Sequence, residues 1–120
     1  MAKLEDILHI EQAGDVQVLR FRAASILDAQ EVELIDQAFQ QVVASAETPR
    51  LILDLTDVQH VSSVMLSALI ELRSLVQDKG GRLATAGIQS RLRDLLETVR
   101  IYDLYENHAD VRSATDALAA

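Results

Sequence analysis

The segment Asp57-Val-Gln-His-Val-Ser-Ser-Val-Met-Leu66 brings an acid, an imidazole and two hydroxyls into one short stretch. Asp57, His60 and Ser63 are the residue types of nucleophilic acyl transfer, in which a serine attacks, a histidine takes its proton and a carboxylate orients the ring. That chemistry also needs oxyanion donors, and its usual α/β setting is Gly-x-Ser-x-Gly on a strained strand-to-helix elbow. Here Val61 and Met65 stand where those glycines would be, so catalysis is not expected. Asp54 and Asp57 flank Leu55-Thr56 at a strand end and offer two carboxylates to a cation. Two carboxylates without further oxygen ligands read instead as a loop-stabilising or solvated pair.

Other chemistry falls away quickly. There are no cysteines, and His9, His60 and His108 are scattered, so neither a disulfide nor a thiolate or paired-histidine metal site is available. The glycines of GGRLATAG (residues 80–87) are not followed by Gly-Lys-Ser/Thr and do not form a phosphate loop. No metal and no cofactor are expected. With 11 basic against 19 acidic residues the net charge is −8, the wrong sign for direct nucleic-acid binding. No signal peptide and no apolar run of about 18 residues is present, so the expectation is a cytoplasmic protein without membrane insertion.

What remains is the pair of serines. On a helical wheel, Ser63, Ser67, Glu71, Ser74 and Asp78 form a polar stripe, whereas Ser62 falls among Met65, Leu66, Leu69 and Val76. Ser62 is therefore expected to cap the helix, and Ser63 to face solvent. A phosphate on Ser63 would meet the positive end of the helix dipole, so the fold would tolerate it and its effect would fall on a partner.

The elements that must position these groups follow from periodicity. Residues 7–21 hold two apolar runs around Ala-Gly14-Asp, a β-hairpin whose exposed edge allows a weak homodimer beside the monomer. Asp28 is placed to cap a helix burying Val32, Ile35, Phe39, Val42 and Val43. LILDL, residues 51–55, is a nearly continuous apolar strand of the kind covered on both faces. The helix from about Ser62 ends where Gly80 supplies a left-handed residue. RLATAGI (82–88) is the next strand, and Ser90 is placed to cap a helix carrying Leu92, Leu95, Leu96 and Val99. Arg91, Arg93 and Arg100 would lie on that helix's surface. An extended piece near Tyr105 and a short helix started by Asp110 complete the chain. The expected fold over 1–120 is one α/β domain: an N-terminal hairpin leading into a mixed, largely parallel sheet of four to five strands, with about four helices.

Three segments together resemble the STAS domain of bacterial anti-sigma factor antagonists. LDLTDV followed by Ser-Ser-Val-Met-Leu66 looks like the family's strand, loop and Asp-Ser-Ser-Gly-Leu helix start. SILDAQEVELIDQAFQQVV looks like its Gly-x-Leu-Asp segment and first helix, with Ser25 in place of the glycine. VQDKGGRLATAGIQSRLRDLLETVRIYDLY looks like its closing strand and helix. The resemblance implies a binding module, not an enzyme. Its unphosphorylated form would bind a serine-kinase-type anti-sigma factor and so free a sigma factor; phosphorylation would end binding, and a phosphatase would restore it. Aligned on Leu66, the phosphoacceptor falls at Ser63, with a partner surface drawn from Asp28, Asp54, Asp57, Ser62, Ser63 and Ser67. Ser62 replaces the acidic residue before the phosphoserine, and Val64-Met65 replaces the following Ser-Gly. These departures motivate an alternative: a structural STAS subunit of a stressosome-like assembly or of a lipid-transport ATPase complex.

Overall fold

A computed structural model describes residues 3–119. After a single helical turn, α1 (Leu4–Ile7), strands β1 (Leu8–Ala13) and β2 (Val16–Phe21) form the expected hairpin. Of the two turn residues only Gly14 has a positive φ, 63°, the pattern of a type II′ turn that matches the twist of the flanking strands. The chain then runs through β3 (Ser25–Ile26), α2 (Ala29–Ala44), β4 (Arg50–Asp54), β5 (His60–Val61), α3 (Ser63–Asp78), β6 (Arg82–Ala86), α4 (Ser90–Thr98), a 3₁₀ turn at Tyr102–Leu104, β7 (Glu106–His108) and α5 (Val111–Ala119).

The main sheet has the order β1-β2-β4-β6-β7, antiparallel between β1 and β2 and parallel elsewhere. Residues along each strand alternate between two faces. Leu19, Phe21, Leu51, Leu53 and Leu55 enter the larger core with Val32, Ile35 and Phe39 of α2, Met65, Leu69 and Leu72 of α3, and Leu92 and Leu96 of α4. Val16, Val18, Ile52, Ala84 and Ala86 face the other way, onto Ala114 and Leu118 of α5. The near-continuous apolarity of 51–55 is explained: β4 is central and covered on both sides.

Three expectations are corrected. Ser90 does not cap α4. The cap is Gln89, whose extended backbone (φ −77°, ψ 159°) presents its carbonyl to the Arg93 N–H, and Ser90 is already helical. Strand β6 stops at Ala86, because Gly87 turns left-handed (φ 71°) against Thr56; that turn, with Ile88 packed on the larger core, sets where α4 starts. Arg100 lies beyond α4, not on its surface. It takes φ 62° at a position where glycine is usual, and the Ile101 N–H closes back on the Leu96 carbonyl at 2.9 Å.

Candidate functional site

Ser62 is the N-cap of α3. Its backbone is extended (φ −81°, ψ 166°), and its Oγ accepts the Met65 N–H at 3.1 Å. That bond satisfies one of the backbone donors left free at a helix start. Ser63 is the first helical residue and is exposed, as are Ser67, Glu71, Ser74 and Asp78 of the same stripe. Ser67 Oγ donates to the Ser63 carbonyl at 3.1 Å. Met65 is fully buried, while Val64 is 55% exposed and adds an apolar neighbour to Ser63.

Asp28 caps α2 by accepting the N–H groups of Gln30 (2.7 Å) and Glu31 (3.3 Å). The two helix starts are aligned by a feature the sequence patterns did not disclose, a two-residue parallel ladder between β3 and β5. Ser25 pairs with His60 and Ile26 with Val61, and the Ser62 N–H donates to the Ile26 carbonyl at 3.0 Å. Both strands lead straight into helices, so Asp28 and Ser62 cap neighbouring N-termini. Strands of two residues fall below the length at which alternation can be recognised, so only the caps that follow them, Asp28 and Ser62, are legible in the sequence. From these helix starts a shallow groove of about 210 Å³ runs between α2 and α3, lined by Val32, Glu33, Asp36, Val64, Ser67 and Glu71. Leu27, the residue before Asp28, is 57% exposed.

Asp54 and Asp57 do not play equivalent parts. Asp54 is only 6% exposed. Its Oδ1 accepts both the Thr56 N–H (3.1 Å) and the Thr56 hydroxyl (2.6 Å), and its Oδ2 accepts Arg20 Nε at 3.0 Å. A carboxylate so enclosed holds the start of the loop 55–59 through Thr56; the hydrogen bond from Arg20 raises the pKa of that arginine. Asp57 is exposed on that loop, and Val58 beside it is completely buried, anchoring the loop to the core.

The acid, imidazole and hydroxyl of the opening segment are not assembled. His60 Nδ1 lies 3.3 Å from Ser25 Oγ, and Asp57, His60 and Ser63 share no side-chain hydrogen bond among the described residues. No group of three or more His, Asp or Glu side chains among the described residues is placed to hold a metal ion. No helix among them is long and apolar enough to cross a membrane. At the two capped helix starts, Leu27, Ser63, Val64 and Ser67 are exposed.

Comparison with known proteins identifies the fold and the family. The structure is similar to an anti-sigma factor antagonist (STAS) domain protein from Planctomyces limnophilus, with TM-score 0.86 and 18% identity over 94% of this chain and 98% of the other. It is also similar to an anti-sigma factor antagonist from Mycobacterium paratuberculosis, with TM-score 0.80 and 20% identity over 94% and 93% of the two chains. A third similar structure is the Bacillus cell fate determinant SpoIIAA in its phosphorylated form, with TM-score 0.71 and 13% identity over 92% and 97%. No curated protein sequence matches the chain. The family model of the STAS domain matches residues 8–114, nearly all of β1 to α5, and the chain belongs to the STAS domain family.

Proposed function

We propose that this STAS domain is an anti-sigma factor antagonist, a phosphorylation-switched binding module and not a catalyst. Unphosphorylated, it binds a serine-kinase-type anti-sigma factor through the patch formed by Asp28, Asp57, Ser63 and Ser67, with Leu27 and Val64 supplying apolar contact. Ser62 and Asp54 shape that patch from beneath. The observation that carries this reading is the division of labour between adjacent serines. Ser62 spends its oxygen on the Met65 N–H, which leaves the exposed Ser63 hydroxyl available to a kinase. A phosphate there would sit over the first turn of α3, where backbone N–H groups and the helix dipole favour an anion. Its nearly two negative charges would then change the patch without unfolding it. Similarity to a protein solved in a phosphorylated form is in keeping with this reading.

The test separates the serines. Incubation with the cognate kinase and ATP should label the wild type and Ser62→Ala on Ser63, and leave Ser63→Ala unlabelled. Ser62→Ala should lose about 1 kcal/mol of stability by removal of the cap, while Ser63→Ala should stay within about 0.5 kcal/mol of wild type in urea denaturation. Ser63→Asp should remain folded and lose the kinase partner. Label on any other residue would overturn the assignment.

One observation favours a second reading. The exposed Val64 and the buried Met65 occupy the positions of the Ser-Gly of the pattern that the sequence resembles. A chain that is never labelled, and that co-purifies with a transport ATPase or a large oligomer, would be a structural STAS subunit instead.

A further inference from the structure

The main sheet has two open edges, and they are unlike. β7 is three residues long, too short to template a strand of ordinary length. β1 is six residues long, keeps a one-to-one register with β2 throughout, and contains neither proline nor lysine. Bulges, prolines, lysines and shortness are the usual means of blunting an edge. β1 has none of these; the one carboxylate it carries, Glu11, is a charge that a pairing strand must complement.

The hydrogen-bonding parity of β1 follows from one bond. The Arg22 N–H donates to the Ile7 carbonyl at 2.8 Å, so the 7–22 pair is a hydrogen-bonded one. In an antiparallel ladder such pairs alternate, which turns the amide groups of His9, Glu11 and Ala13 toward β2. The N–H and C=O groups of Leu8, Ile10 and Gln12 therefore point to the open side. Ile10 sits opposite Leu19, on the face of the larger core, yet is 39% exposed because no strand among the described residues lies beyond β1. His9 and Glu11 are on the opposite face beside Arg20, with His9 Nε2 at 3.8 Å and Arg20 Nη1 at 3.7 Å from the Glu11 carboxylate.

We propose that β1 pairs antiparallel with β1 of a second copy of this chain, centred on Ile10 opposite Ile10, to make one continuous sheet through two protomers. Parity allows few registers in which outward amides meet. Centring on Ile10 sets Leu8 against Gln12 of the copy, brings the two isoleucines together at the rim of the larger core, and places each His9 opposite a Glu11. Shifting to centre on His9 sets imidazole against imidazole; shifting to centre on Glu11 sets carboxylate against carboxylate. An imidazole N–H can hydrogen-bond the carboxylate across the pair, two facing carboxylates repel, and two facing imidazoles gain no bond to a charged partner, so cross-strand side-chain pairing selects the central register. Self-complementarity of one patch is what a two-fold dimer requires. The pairing stands independently of the switch at Ser63.

Sedimentation over a range of concentrations tests it. The wild type should show a concentration-dependent dimer. His9→Glu and Glu11→Lys should each weaken it about tenfold, since each creates two poor cross-strand pairs. Mixing these two variants should restore association, because glutamate at position 9 then faces lysine at 11, and His9 faces Glu11. Ile10→Pro removes an outward N–H but no bond to β2, so it should abolish the dimer while circular dichroism and thermal unfolding stay near wild type. A chain that stays monomeric up to about 1 mM, a dimer indifferent to these changes, or mixed variants that fail to associate would each overturn the proposal.

Discussion

The two faces of the main sheet are stabilised in different ways. One is covered by α2, α3 and α4 with large side chains: Phe21 meets Phe39 edge-on at 6.2 Å between ring centroids, surrounded by leucine, isoleucine and valine. The other is covered by α5 alone, where small residues, Ala84, Ala86 and Ala114, let the helix approach closely. There the fit is completed by arginines. Arg50 donates to the Leu118 carbonyl at 2.8 Å and Arg82 to the Ala117 carbonyl at 3.0 Å, satisfying carbonyls at the negative end of α5. Apolar volume makes the first layer cooperative. The second depends on a narrow contact and a polar clamp, so local opening should begin there.

The largest expected effect lies in the thick layer. Phe39→Ala should cost about 3–5 kcal/mol and lower the unfolding midpoint of the whole domain, with every spectroscopic probe moving together. Leu118→Ala should cost about 2–3 kcal/mol, but hydrogen exchange should show α5 losing protection well before β4 and α3. If α5 and the central strands instead lost protection together, the two layers would be one cooperative unit and the contrast would be wrong.

The smallest effect concerns the clamp and is pH-dependent. Arg82 Nη2 donates to Glu106 Oε1 at 2.6 Å, and His108 lies at 2.9 Å from the other oxygen. The arginine hydrogen bond first, then the histidine one, lowers the Glu106 pKa in the folded protein. A carboxylate depressed on folding contributes stability that is present above its unfolded pKa and lost as pH falls through its folded value. The wild type should therefore exceed Arg82→Gln by less than about 1 kcal/mol at neutral pH, since both side chains are partly exposed. Urea titrations should show that difference narrowing as pH falls below the ordinary glutamate range, about pH 4. A gap that persists unchanged at lower pH would assign it to the Ala117 bond alone.

How much could be read in advance follows the same division. Val32, Ile35, Phe39, Val42 and Val43 recur at helical spacing and are all buried, because a long amphipathic helix repeats its signal over several turns. Gly14 and Gly80 were legible because each takes a positive φ that other side chains resist. Ser90 misled because serine's preference for a cap is weaker than the turn at Gly87 and the anchoring of Ile88, which place the helix start one residue earlier. At the candidate site, the capping roles of Asp28 and Ser62 and the exposure of Ser63 followed from residue type and wheel position. The difference between Asp54 and Asp57 did not: both were read as one loop-stabilising or solvated pair, and the burial of Asp54 with its bond to Arg20, 34 residues away, sets it apart.

The sequence by itself determined the order of the elements, the amphipathic faces and which serine caps α3, because these rest on contacts within a few residues. Tertiary structure alone decided that β3 and β5 align the starts of α2 and α3, that Asp54 is buried, and that β2, not β1, pairs with the central strand β4. Each of these depends on pairings between segments far apart in the chain, which local periodicity does not encode.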